Sequence, residues 1–124
     1  GVWQMMNSRL MARVKDHLDM LMADIRPQPS ERKNHDFSYR LGEELFIIEQ
    51  QEPHENSDVT TSTPLVKVVH MEEPEAWALY ELNDEGHWQA HDTINSEPDL
   101  AKALQTVRAI IVSKAAKQQT GAHV

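Results

Sequence analysis

The stretch from Pro64 to Asp92 constrains this chain more than any other. It reads P-L-V-K-V-V-H-M, a Glu-Pro break, A-W-A-L-Y-E-L, the turn N-D-E-G, and H-W-Q-A-H-D. Three short runs rich in β-branched and aromatic residues, divided by two turn signals, form the pattern of an antiparallel meander. The spacing predicts strands over Leu65–Met71, Ala76–Leu82 and His87–His91. Pairing Leu82 with His87 sets Trp77, Leu79, Trp88 and Ala90 on one face, and Ala78, Tyr80, Gln89 and His91 on the other. Both of these tryptophans are expected in the core, where their large area gains most from burial.

Upstream, Phe37 to Gln51 reads as a hairpin turning at Gly42-Glu43, with glycine leading a type II′ turn. Period-two alternation then puts Phe37, Tyr39, Leu41, Phe46 and Ile48 toward the core. Ser38, Arg40, Leu45, Ile47 and Glu49 take the other face. The polar stretch Glu52 to Thr63 is expected to be a mobile loop.

Two helices flank these strands. Over residues 8–25, Leu10, Val14, Leu18, Leu21 and Ile25 recur at helical spacing. Asn7 or Ser8 is the expected cap, and Pro27 and Pro29 end the run. Methionines 5, 6, 11, 20 and 22 are read as fillers of core gaps. Over residues 97–117, Leu100, Leu104, Val107 and Ile111 form the buried stripe, with Ala103 and Ile110 beside it. Ser96 is the expected cap and Pro98 falls in the first turn. Residues 1–6 and 118–124 are expected to be poorly ordered ends. The fold class is α+β: a five-stranded antiparallel β-meander flanked by an N-terminal and a C-terminal helix, in a single domain of 124 residues.

Charge is unevenly spread. Between Glu43 and Glu85 there are twelve carboxylates and one basic residue, Lys67, a charge of −11. The remaining eight carboxylates face eleven basic residues, giving +3. An acidic sheet region of this kind argues against gripping a nucleic-acid backbone, which needs basic surface. It fits either a solvated surface or a dock for a basic partner. No apolar run is long enough to span a membrane. With no cysteine there is no disulfide, thiolate site or thiol nucleophile, and the composition fits the cytoplasm.

The order of several residues resembles a known family. F-S-Y-R-L-G-E-E-L-F-I-I-E, a later E-P, then P-L-V-K-V, W-A-L-Y and H-W-Q-A-H are similar to a family of small, uncharacterised bacterial proteins known only as a domain of unknown function. The resemblance covers about residues 8–112 and rests on Tyr39, Glu49, Pro53, Pro64, Lys67, Trp77, Leu79, Tyr80 and Trp88. It implies the same helix, five strands, helix layout and brings no activity with it. The chain departs from the family pattern around Pro53. Glu52 stands where an arginine is usual, and His54-Glu55 where an aromatic residue is usual.

No catalytic set emerges. His87 and His91 flank Gln89 on a predicted strand, which puts the two imidazoles about 13 Å apart at about 3.3 Å per residue. One zinc needs its ligands about 2 Å away, so the pair alone does not bind one. Glu49 with Lys67 has the acid and lysine of metal-dependent nucleases but no second carboxylate on the lysine strand, and an ordinary cross-strand ion pair explains both. No nucleophile elbow or phosphate loop is present. Neither a metal nor a cofactor is called for. The reading is a non-enzymatic binding or interaction protein with a protein partner or a second copy of itself, and with neither nucleic acid nor membrane. The alternative is a small ligand-binding domain or enzyme using Arg40, Glu49, Lys67 and Tyr80, all placed on the sheet face away from the helices.

Overall fold

A computed structural model describes residues 2–54, 58–72, 74–91 and 96–122, with the helix ends 2–7 and 115–122 described by backbone alone. Helix α1 (Val2–Ile25) is followed by a short 3-10 turn at Pro29–Glu31. The strands follow as β1 (Asp36–Leu41), β2 (Leu45–Pro53), β3 (Thr60–Glu72), β4 (Glu75–Leu82) and β5 (Trp88–Ala90), and helix α2 (Leu100–Ala122) closes the chain. The sheet order is β1-β2-β3-β4-β5, all antiparallel. This is the expected α+β meander between two helices.

Both helices lie on one face of the sheet. From α1, Val14, Leu18, Leu21 and Met22 meet Phe37, Phe46, Ile48, Val66, Val68, Trp77 and Leu79 of the strands. Leu100, Ala103, Leu104, Val107, Ile110 and Ile111 of α2 complete the same cluster. These are the helical stripes and the β1–β2 core face read from the sequence. Of the methionines read as gap fillers whose side chains are described, Met22 is core and Met11 is half-buried in a crevice beside Val14 and Trp77, while Met20 is 70% exposed, so the gap-filling reading fails at Met20. Met5 and Met6 lie outside the described side chains.

Several boundaries differ from expectation, each for a local reason. Helix α1 starts at Val2, well ahead of Asn7 and Ser8. Helix α2 starts at Leu100 because Asp99 is its cap: the Asp99 carboxylate accepts from Ala101 N–H at 3.0 Å. Glu97 is drawn away into a bridge with Trp77, each donating its N–H to the other's carbonyl. Pro98 therefore precedes the helix. The helix continues to Ala122, past the expected limit, while Gly1 and residues 123–124 lie outside the described residues.

The β1–β2 turn is Glu43-Glu44, closed by Gly42 N–H donating to Leu45 C=O at 2.8 Å. Leu41 pairs with Phe46, and Gly42 is not in the left-handed region, so no type II′ turn forms there. The face assignment survives because the register moves by an even step. The Glu52–Thr63 stretch is largely a two-stranded ribbon, with Gln51–Pro53 pairing Thr60–Ser62. It is held by polar side chains: Ser62 Oγ donates to Gln51 Oε1, whose Nε2 donates to Ser38 Oγ. Residues 55–57 at its tip lie outside the described residues. Strand β3 also runs through Pro64, which lacks an N–H. The register shifts there, with Pro64 opposite Glu49 and Val66 opposite Ile48, so the proline sits at a bulge.

Two polar contacts tie the helix layer to β1. Arg26 grips Asp36 through two parallel bonds of 2.9 and 2.7 Å, and this hydrogen-bonded charge pulls the Asp36 carboxyl below its usual range. Tyr39 donates its hydroxyl to Asp19 at 2.7 Å, and burial, reinforced by that carboxylate, pushes the phenol up to about 12.

Candidate functional site

The sheet face away from the helices carries the four residues singled out from sequence. Successive pairings run Arg40 to Ile47, Ile47 to Lys67, Lys67 to Tyr80 and Tyr80 to Ala90. One row therefore crosses all five strands, with a residue from each. Glu49 stands one row away, opposite Ser38. All four candidates share this face, but they divide into two groups.

The first group is an ion pair. Arg40 Nε meets Glu49 Oε1 at 2.6 Å. Glu49 is one of two buried polar residues of the core strands, at 6% exposure, whereas the Arg40 side chain is 69% exposed. The arginine covers a carboxylate that would otherwise be buried without its counter-charge. The expected Glu49–Lys67 pair is not formed, since Arg40 has taken the carboxylate.

The second group is an aromatic clamp. Lys67 Nζ lies 5.1 Å from the Tyr80 ring centroid and 5.0 Å from that of Trp88. Both distances fall within the range of cation–π attraction. Arg40 and Lys67 stand two strands apart with Ile47 between them, so their backbones are about 10 Å apart at about 4.8 Å per strand. They do not converge on one small anion.

Trp88 reaches this face through a register that sequence reasoning missed. Leu82 pairs with Trp88, and Asn83 with His87. Asn83 N–H donates to His87 C=O, Gly86 N–H to Asn83 C=O, and Asn83 Oδ1 accepts from the N–H groups of Glu85 and His87. Gly86 has φ 84°. This is a three-residue loop built on a type I turn with glycine in the left-handed position. The pairing of Leu82 with His87 would leave four residues in the loop; pairing Asn83 with His87 leaves three and sets Leu82 opposite Trp88, and that single step turns Trp88 and Ala90 away from the helices. Trp77 is in the core at 1% exposure and Trp88 is not. The signal was available: N-D-E-G places glycine fourth, where a glycine-bulged turn wants it.

Around this polar set the face is apolar. Leu45, Val69, Met71 and Leu82 fall on it by register, beside Ile47 and Tyr80. Leu45 and Met71 are 36% and 44% exposed. The carboxylates of the acidic middle lie mostly elsewhere. Glu43, Glu44, Asp84 and Glu85 are in turns, Glu52, Glu72 and Glu75 at strand ends, and Glu81 on the helix side. Of the described carboxylates at positions 43–85, Glu49 alone lies within this central face.

Other polar groups stand apart from it. His91 Nδ1 lies 2.8 Å and Lys114 Nζ 3.9 Å from the Glu81 carboxylate, beside a depression of about 160 Å³ lined by Glu81, Leu82, Asn83, Gln89 and Ala90. His70 packs on Trp77 with ring centroids 4.7 Å apart. His70 Nε2 and Trp77 Nε1 are buried without hydrogen-bond partners among the described residues. They line a crevice between α1 and the β1–β2 turn with room for about one water molecule. His87 is exposed beside Glu85. The histidines are thus held by separate neighbours, and no group of three or more metal-ligating side chains forms among the described residues. Neither cavity is lined by Arg40, Glu49, Lys67 or Tyr80.

The sequence profile of a Domain of unknown function (DUF3024) matches residues 6–110. The chain belongs to the DUF3024 family. This agrees with the resemblance carried by the series from Tyr39 to Trp88, and it covers α1 from residue 6 onward, the whole sheet and about the first half of α2. No curated protein and no solved structure matches the chain. In this DUF3024 protein no helix is long and apolar enough to cross a membrane among the described residues.

Proposed function

We propose that this DUF3024 protein is a non-enzymatic interaction module that binds a protein partner through the open face of its sheet, in the cytoplasm. One observation carries the reading. Both helices pack on the same side, leaving Leu45, Ile47, Val69, Met71, Tyr80, Leu82 and Trp88 on a side without a covering layer among the described elements. Antiparallel sheets with a solvated second face usually alternate apolar-in with polar-out. Here the outward positions are largely apolar or aromatic, which is the composition of an interaction patch. The crevice beside α1 lies off this face, and the depression at Leu82 and Ala90 reaches only its β4–β5 edge. Neither is lined by Lys67 or Tyr80, so the reading rests on the apolar surface rather than on an enclosed metabolite pocket. The absence of cysteine suits a reducing compartment.

The test is affinity capture from a lysate of the source cells, with Ile47→Asp and Trp88→Ala beside the wild type. Both variants should fold and both should lose the retained protein. Equal capture by all three removes the open face from consideration. Turnover of any small substrate, abolished by one change on this face, would show an enzyme instead.

A further inference from the structure

We infer that the partner inserts a carboxylate side chain, flanked by apolar residues, against Lys67. The inference rests on the interaction reading above and names the chemistry of what binds. Lys67 is the only basic residue between Glu43 and Glu85, among twelve carboxylates. Yet it forms no ion pair among the described residues, whereas Arg40, Arg26 and Arg13 each hold a carboxylate. Its ammonium is held instead by the rings of Tyr80 and Trp88. Two rings orient a cation and shield part of it without neutralising it. Strand pairing fixes this clamp near the middle of the apolar face, directly across from Ile47 on one side and from Tyr80 on the other.

Any partner that covers the face takes water from that ammonium. Burying an uncompensated charge is costly, so a purely apolar partner would be rejected. A partner carboxylate placed on Nζ removes the cost and gains a charge-assisted hydrogen bond. The neighbouring Arg40–Glu49 pair is already neutral and asks for nothing. Around the face the sign reverses: Glu43 and Glu44 rim one end, Asp84 and Glu85 the other, on a chain of net charge −8. That rim repels a polyanion and selects against nucleic acid. The fitting segment has one central Asp or Glu, apolar flanks and a neutral or basic periphery.

The experiment is zero-length carbodiimide coupling of the captured complex, followed by peptide mapping. It is read beside Lys67→Met, Lys67→Arg and Ile47→Asp, each checked for folding by thermal melting. The expected product is an amide between Lys67 Nζ and an Asp or Glu of a different protein, in a segment with apolar neighbours. Lys67→Met should lower retention by roughly tenfold or more, because a buried carboxylate is left without its cation. Lys67→Arg should restore retention without the cross-link. If Ile47→Asp abolishes capture while Lys67→Met leaves it intact, the face binds a partner but the carboxylate inference is wrong. If neither change matters, or nothing is retained, both readings fail. A Lys67 cross-link to a second copy of this chain, or capture destroyed by nuclease, also overturns the inference.

Discussion

Two of the four glycines show how far a residue's role depends on its backbone. Gly86, at φ 84°, lies where a Cβ meets the chain's own carbonyl even though the surrounding space is empty. Gly42 lies outside that region, and a Cβ there would meet Leu45 O at an ordinary 3.5 Å. Gly86→Ala should cost about 1 kcal/mol in urea denaturation, whereas Gly42→Ala should be neutral or slightly stabilising through the unfolded chain. Equal effects would contradict the three-residue turn. Asp36 makes a prediction in pH. Its carboxyl is held low first by the hydrogen bonds from Arg26, against a desolvation that opposes them. The folded pKa is below the unfolded one, so the stabilisation is full above the unfolded value, about 3.9, and is lost as pH falls through the folded value. Asp36→Asn should therefore lower stability at pH 7 and leave it almost unchanged near pH 2. Denaturant midpoints at the two pH values would check this.

At the level of elements, what was legible in the sequence followed periodicity and what was not followed turn length. The stripes of both helices and the alternation of Phe37 to Leu41 read correctly because one face of each element is buried and the spacing must record it. The β1–β2 turn was misplaced without harm, since Leu41 and Phe46 stayed on the core face. The β4–β5 turn was misplaced by one residue, and this changed the site: Trp88, assigned to the core, belongs beside Lys67. The strand expected over Leu65–Met71 extends back through Pro64 to Thr60: a proline inside a central strand normally argues against one, and the bulge opposite Glu49 makes this one acceptable. The ribbon at Thr60–Ser62 was unreadable because both its faces are polar and leave no alternation to find. The two tryptophans make a paired prediction. Trp77→Ala removes a fully buried ring from between Phe46 and His70 and should cost about 3–5 kcal/mol. Trp88→Ala should cost far less in stability and act on binding. Urea melts of both variants would compare them directly, and equal losses would return Trp88 to the core.

At the scale of the whole molecule, the two helices depend on each other. They touch and share one cluster, so neither layer is complete alone. A chain stopped after residue 95 would keep every strand and lose Leu100, Leu104, Val107 and Ile111 from the cover. Such a chain should fail to unfold cooperatively and should bind a hydrophobic dye, which calorimetry and fluorescence would report; a sharp thermal transition would show that α1 suffices. The alternation along the five strands has a further consequence. Alternate positions along each strand answer to different demands: Phe46, Ile48, Val66, Val68 and Leu79 hold the fold, while Ile47, Lys67 and Tyr80 lie outside that cluster. Substitutions can therefore accumulate on the outward positions with little penalty to folding. Selection for a new partner is then free to rewrite one side of the sheet while the other side stays as it was.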